Sequence, residues 1–273
     1  MKKTSKIMSL VLAGAMVLSL GACSGGGTAE TTKAESTEAV TAASSEEGTE
    51  AASEAGEGAG QTAEGTTYKI GILQLVQHTA LDAANEGFIA ALDEAGIQYD
   101  LDSQNASGDQ SACQTVASKF ANDKKDLILA IATPAAQAVA GAVTDTPVLI
   151  TAVTDPAESG LVDDNQKPGG NVTGTSDLTP VKEQIDLLKQ ILPDAKKVGI
   201  LYCSAESNSE IQAQMAREAI EAAGMTSQDF TVSSSNEIQT VVQSMVGKVD
   251  AIYAPTDNTI AAGMTTVGIV AGD

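Results

Sequence analysis

The sequence predicts an α/β fold of two Rossmann-like lobes, each a parallel sheet covered by helices, joined by a hinge. Three observations predict it. Short β-rich runs alternate with helical patterns from residue 68 onward, the order expected of parallel βαβ units. The pattern then repeats: Ile70-Gly71-Ile72-Leu73 returns as Val198-Gly199-Ile200-Leu201, and the helix end Ala95-Gly96-Ile97 returns as Ala223-Gly224-Met225, both displaced by 128 residues. A looser match links 126–134 to 250–257.

In the first lobe, 68–176, a strand is expected over 68–75. Thr79 caps a helix whose apolar face is Leu81, Ala84, Phe88 and Leu92, and Gly96 ends it. Strands follow over 99–102, 126–132 and 147–153, separated by helices over 110–122 and 134–143. Residues 176–179 read as the hinge crossing. The second lobe, 177–273, opens with a helix over 181–192 stopped by Pro193 and closes on a helix over 258–270. No strand follows that helix in the sequence, which predicts that the C-terminal part completing the sheets is missing from it.

The N-terminal segment is of another kind. Lys2, Lys3 and Lys6 precede an apolar run over 7–20 and then Leu20-Gly21-Ala22-Cys23. A basic flank, a short apolar stretch and small residues before a cut site describe an export signal over 1–22. The run is too short to span a bilayer comfortably, which takes roughly 20 apolar residues. Leu-small-small-Cys resembles the lipobox of bacterial lipoproteins, so Cys23 is expected to carry the lipid and to hold the protein on the outer face of the cell membrane. Residues 24–67 hold nine Glu, one Lys and a single large apolar side chain, Val40. Such a segment buries too little apolar surface to offset its ordering entropy, and 23–67 reads as a lipidated Cys followed by a disordered acidic tether.

Composition excludes several functions. With 36 acidic against 15 basic residues and a net charge of −21, the chain lacks the basic footprint that nucleic acid requires. Its single His leaves zinc and haem without ligands. Cys113 and Cys203 are expected as separate buried thiols, because their spacing suggests neither a metal nor a disulfide framework. No nucleophile stands with a base, so no enzyme, metal or cofactor is expected.

In open parallel sheets a ligand binds outside the carboxyl ends of the strands. The loops there are polar, and each residue has a structural alternative. The Thr133 hydroxyl and the amides from Ala135 onward could hold a carboxylate at a helix start, or Thr133-Pro134 could simply begin the helix. Thr154 and Asp155 are ligand candidates or parts of an Asp-Pro turn. Ser204, Glu206, Asn208 and Ser209 offer hydroxyl, charge and amide at another helix start, or form its cap. Asp257 could accept an ammonium, or favour the helix dipole. His78, displaced by 128 from Glu206, is expected to face it across a cleft.

These residues carry a resemblance. Gln104-Asn105-Ala106, Ala132-Thr133-Pro134, Val153-Thr154-Asp155-Pro156, Asn171-Val172-Thr173-Gly174 and Pro255-Thr256-Asp257-Asn258, in this order, resemble the substrate-binding proteins of ABC transporters, in the family that includes tryptophan- and tyrosine-binding members. The resemblance implies a type I periplasmic-binding fold with three hinge crossings, only the first of which lies in this sequence. It implies a monomer that captures an amino acid, aromatic ones favoured, and serves a permease and its ATPase. By analogy Thr133, Thr154 and the Asn208-Ser209 pair hold the α-carboxylate; chemistry assigns the ammonium to Asp257, and His78 or Tyr202 to stacking. The alternative is a lipoprotein that presents its closed form to a membrane sensor kinase.

Overall fold

The computed structural model describes residues 65–272. The export signal, Cys23 and the tether up to residue 64 lie outside the described residues. β1 (Thr67–Gln74) is followed by α1 (Thr79–Glu94), β2 (Gln98–Asn105), α2 (Gln110–Asp123), β3 (Leu127–Ile131), α3 (Thr133–Ala142), β4 (Val148–Val153) and β5 (Val172–Ser176). All five strands pair in parallel, in the order β2-β1-β3-β4-β5. Residues 177–180 lead to α4 (Val181–Ile191), β6 (Lys197–Cys203), α5 (Ser207–Ala222), β7 (Thr226–Val232), α6 (Ile238–Met245), β8 (Ala251–Tyr253), α7 (Asn258–Ala262) and α8 (Met264–Gly272). Here the parallel order is β7-β6-β8.

Side-chain alternation explains why helices cover both faces. Along β6, Val198, Ile200 and Tyr202 enter one apolar cluster with Ile185, Ala213 and Ile220 of α4 and α5. Leu201 and Cys203 enter another with Val242 and Met245 of α6 and Val267 of α8. In β1, Gly71 faces Phe120 of α2, while Gln74, on the opposite face, bonds Asp82 and Asn85 of α1. A parallel strand buried on both faces needs such an unbroken apolar run.

The repeat read from sequence extends to its hydrogen bonds. β1 and β6 are the central strands of equivalent 2-1-3 and 7-6-8 arrangements. The Asp126 carboxylate accepts from Lys69 N (2.7 Å) and Asp250 from Lys197 N (2.9 Å), and each aspartate's own N–H returns a 2.8 Å bond to the same lysine's carbonyl. Gly96 and Gly224 end their helices at φ +67° and +76°. In both, the next residue's N–H reaches back to the helix, Ile97 to Leu92 and Met225 to Ile220, the six-to-one closure that a left-handed glycine permits.

Four expectations change. Thr79 is the first residue of α1 rather than its cap; His78 holds the cap position, its side chain making no bond to the helix start. The second strand runs on to Asn105, because it pairs with β1 along its whole length. β5 is a strand where none was expected, its outer residues exposed at the sheet edge. The single helix expected over 258–270 is two, broken at Gly263, where a side chain would strike Ile238. Cys113 and Cys203 are free and buried, as expected. No described helix is long and apolar enough to cross a membrane.

Two glycines separate a tolerable from an intolerable methyl group. At Gly174 an added Cβ would land on the Ile150 backbone carbonyl, whereas at Gly199 it would meet the flexible end of Met245 and the Phe230 ring. Urea unfolding of the two variants should show Gly174→Ala losing on the order of 4 kcal/mol or more and Gly199→Ala only about 1–3 kcal/mol, as Met245 repacks.

Candidate functional site

The carboxyl ends of both sets of strands converge on one another. Two alanines there hold positive φ: Ala132 (φ 84°) between β3 and α3, and Ala152 (φ 54°) within the β4 irregularity. A side chain at such a positive φ costs roughly 1–3 kcal/mol, and such strain gathers at functional sites. It turns the chain sharply before Thr133 and before Thr154, both of which are buried. Thr133 does not cap α3; its Oγ1 is buried without a partner. Ala135 lies in the first turn of α3, fully buried.

Thr154 is held from three directions. Its carbonyl accepts from Ser176 Oγ at 2.6 Å, and its Oγ1 accepts from Gln212 Nε2 at 3.3 Å. Its hydroxyl also bonds the Asp177 carboxylate. Asp155 instead serves its own loop: one carboxylate oxygen takes Ala157 N, Glu158 N and Asn165 Nδ2. Ser159, further along that loop, is buried with its hydroxyl unpartnered.

On the facing side, Glu206 and Asp257 organise the start of α7. Glu206, 3% exposed, accepts from Asn258 N and Nδ2 (3.1 and 2.6 Å), Thr259 N and Oγ1 (2.9 and 2.8 Å) and Asn208 Nδ2 (3.3 Å). Five donors and a helix N-terminus compensate its burial. Asp257 accepts from Cys203 N (2.6 Å) on one oxygen and Ile260 N (2.7 Å) on the other, and Ser209 bonds it as well. Asn208 donates to the Thr256 carbonyl at 3.0 Å, but its Oδ1 is buried without a partner. Ser204 is exposed and bonds back to Val232.

His78 does not meet Glu206 directly. Its Nε2 lies 3.5 Å from Asn258 Oδ1, and Asn258 in turn donates to Glu206. Tyr202 is committed to the core beside α4 and α5, its hydroxyl on Asp229, so it is no stacking partner.

The residues that join the two sides were missed by the sequence reading. Gln212, with no exposed surface, donates from Nε2 to Thr154 Oγ1 and to the Thr256 carbonyl (3.4 Å), while its Oε1 accepts from Thr179 Oγ1 (3.1 Å) and Thr256 N (3.4 Å). Gln137 of α3 donates to Ser207 Oγ of α5 at 3.1 Å, and Gln110 of α2 to the Ala205 carbonyl. One signal was present: Ser209, Gln212, Ala213, Ala216 and Ile220 form the buried stripe of α5, so Gln212 is a polar residue at a core position.

A separate open cavity of about 520 Å³ lies between α1 and the ends of β1 and β2, with Gln74, Asp82, Asn85 and Gln104 in its wall. None of the ligand candidates lines it. Among the described residues no group of three or more His, Cys, Asp and Glu could hold a metal ion.

A family model described as ABC transporter substrate binding protein matches residues 69–272. The tyrosine-binding protein of Clostridioides difficile (strain R20291) is 45% identical over 208 residues, which are 75% of this chain; the chain spans 60% of that relative's length. An ABC domain from Streptococcus pneumonia, solved in complex with L-Trp, is 44% identical with a TM-score of 0.72, covering 75% of this chain and 70% of its own. A substrate-binding protein with adhesive properties from Clostridium difficile, in its ligand-free, open structure, is 46% identical and covers 75% and 71%, yet its TM-score is 0.53. At nearly equal identity, the present arrangement is closer to the ligand-bound structure than to the open one.

Burial, and then the charge of Glu206 beside it, push the Asp257 carboxyl up to about 7, against the opposing effect of its backbone bonds. Its folded value therefore lies above its unfolded one, and the stability it contributes is fully present below about pH 4 and is lost as pH rises through about 7. Paired urea titrations from pH 5 to 8 should show wild type losing stability relative to Asp257→Asn as pH rises, by a few kcal/mol at most. A difference independent of pH would show that Asp257 is ionised throughout.

Proposed function

The chain belongs to the ABC transporter substrate binding protein family, and from that premise we propose that it captures an amino acid, aromatic ones favoured, by closing two lobes upon it. The lobes are those of residues 68–176 and 177–273. The observation that carries this reading is a pair of orphaned buried groups on opposite lobes, Thr133 Oγ1 and Asn208 Oδ1. A buried polar group without a partner costs about 1–3 kcal/mol, and a ligand that bonds both recovers that energy only when the lobes are together. Differential affinity of this sort is what shifts an open–closed equilibrium.

The α-carboxylate fits at the start of α3, where Thr133 and the Ala135 amide lie at the positive end of the helix dipole, the Ala136 amide being taken by the Ala132 carbonyl. Asn208 Oδ1, an acceptor, faces a ligand donor such as an ammonium N–H rather than the carboxylate, and Thr154 and Ser209 line the same wall. Glu206 and Asp257 act one layer behind, holding α7 so that Asn258 meets His78. The ligand class is supported by the relatives that bind tyrosine and L-Trp. His78, at the rim of β1, is the remaining candidate for stacking on an aromatic side chain.

The closed protein would deliver its ligand to a permease powered by an ATPase, as a monomer held at the outer face of the cell membrane through a lipid on Cys23. No catalytic step is part of this reading.

A thermal-shift screen of the twenty amino acids tests it. L-Tyr or L-Trp at about 100 times Kd adds about 2.7 kcal/mol, a rise in Tm of roughly 5–10 °C for a fold of this size. Thr133→Val should abolish the rise while leaving the ligand-free Tm near that of wild type, whereas Asn208→Leu should abolish it and also lower the ligand-free Tm, because Thr256 and Glu206 lose a donor. No response to any amino acid would remove this ligand class.

A further inference from the structure

Asp177 stands just after β5, in the segment that carries the chain from the first sheet to the second. Its N–H bonds the Val153 carbonyl at 3.0 Å, and the Thr154 hydroxyl bonds its carboxylate. Its Oδ1 is buried and has no hydrogen-bond partner. No lysine or arginine among the described residues forms an ion pair with it; the ion pairs present engage Asp102, Asp123, Asp186, Glu210 and Asp229. A carboxylate oxygen withdrawn from water and left unpaired is a strongly unfavourable arrangement unless a cation or donor is brought to it.

Its surroundings lack only that cation. Thr154, which bonds Asp177, also accepts from Gln212, and Gln212 in turn binds Thr256 and Thr179. Asp177 thus sits within the polar cluster at which both sheets and the crossing meet. Asp257, the carboxylate that chemistry alone suggested for the ammonium, already has a backbone N–H on each oxygen.

The geometry points to Asp177 as the group that receives the ligand's α-ammonium, with Thr154 positioning its carboxylate. This rests on the amino acid reading of the site and sharpens it: free α-amino acids would be selected over analogues that lack the amine. Burial raises the Asp177 carboxyl above the ordinary carboxylate range, and an adjacent ammonium would draw it back down.

Calorimetric titration of the purified chain with L-tyrosine and with its des-amino analogue, 3-(4-hydroxyphenyl)propionate, tests the assignment. L-tryptophan and indole-3-propionate form a second pair. Wild type should prefer the amino acid by at least about 30-fold, the usual cost of leaving one partner of a buried charge pair alone. Asp177→Asn should bring that preference close to unity, and its ligand-free Tm should equal or exceed that of wild type because an unpaired buried charge is gone. Asp177→Ser provides the same test should the asparagine misfold. Asp257→Asn should keep the preference.

An undiminished preference in both Asp177 variants, or one abolished only by Asp257→Asn, would overturn the assignment while leaving the amino acid reading intact. Failure of wild type to bind either amino acid would overturn both.

Discussion

One carboxamide, that of Gln212, ties together the first side, the crossing and the second side. It has two donors and two acceptor lone pairs, and all four are used: Thr154 on the first side, Thr179 in the crossing, and both the N–H and the carbonyl of Thr256 on the second. A fully buried amide is tolerable only when satisfied in this way, because each lost bond leaves a group that water cannot reach. The position of α5 against β4 and β8 is fixed by that requirement. The ligand groups follow from it, since Asn208 and Ser209 lie one turn before Gln212 on the same helix.

Around this junction the two sides are built on a common plan but carry different work. On the first side the strain of Ala132 and Ala152 exposes hydroxyls and helix N–H groups toward the junction. On the second side the start of α7 is saturated by Glu206 and Asp257, which leaves Asn258 free to reach His78. The first arrangement offers unsatisfied groups; the second supplies a rigid wall that carries one more, Asn208 Oδ1. A binding protein needs both, because preorganised groups gain affinity only if the frame holding them does not relax.

Much of the scaffold was legible in the residues. The 128-residue displacement found β1 and β6, the two glycine helix ends, and the equivalent positions of His78 and Glu206, because these depend on local rules: apolar runs for doubly covered strands and glycine for positive φ. β5 escaped, since Val172–Ser176 is a short edge strand whose side chains after Val172 are exposed, giving no buried run to detect. The break at Gly263 escaped because glycine among small and apolar residues reads as a continuing helix, and its close approach to the Ile238 side chain is a tertiary contact that the sequence does not display.

The site was less legible than the frame. Thr133, Thr154, Asn208 and Asp257 were found as polar residues after strands, but whether such a residue caps a helix, ties a loop or waits for a ligand depends on partners distant in sequence. Asp155 turned out to hold its own loop and Glu206 to hold α7, whereas Asp177 and Gln212, one after an unrecognised strand and one inside a helix, carry the junction. A crystal structure of the chain grown with L-tyrosine tests the central claim most directly. The ligand should lie among Thr133, Thr154, Asp177 and Asn208, touching both sides; a ligand lodged instead in the cavity beside Gln74, Asp82 and Asn85, touching one side alone, would contradict this.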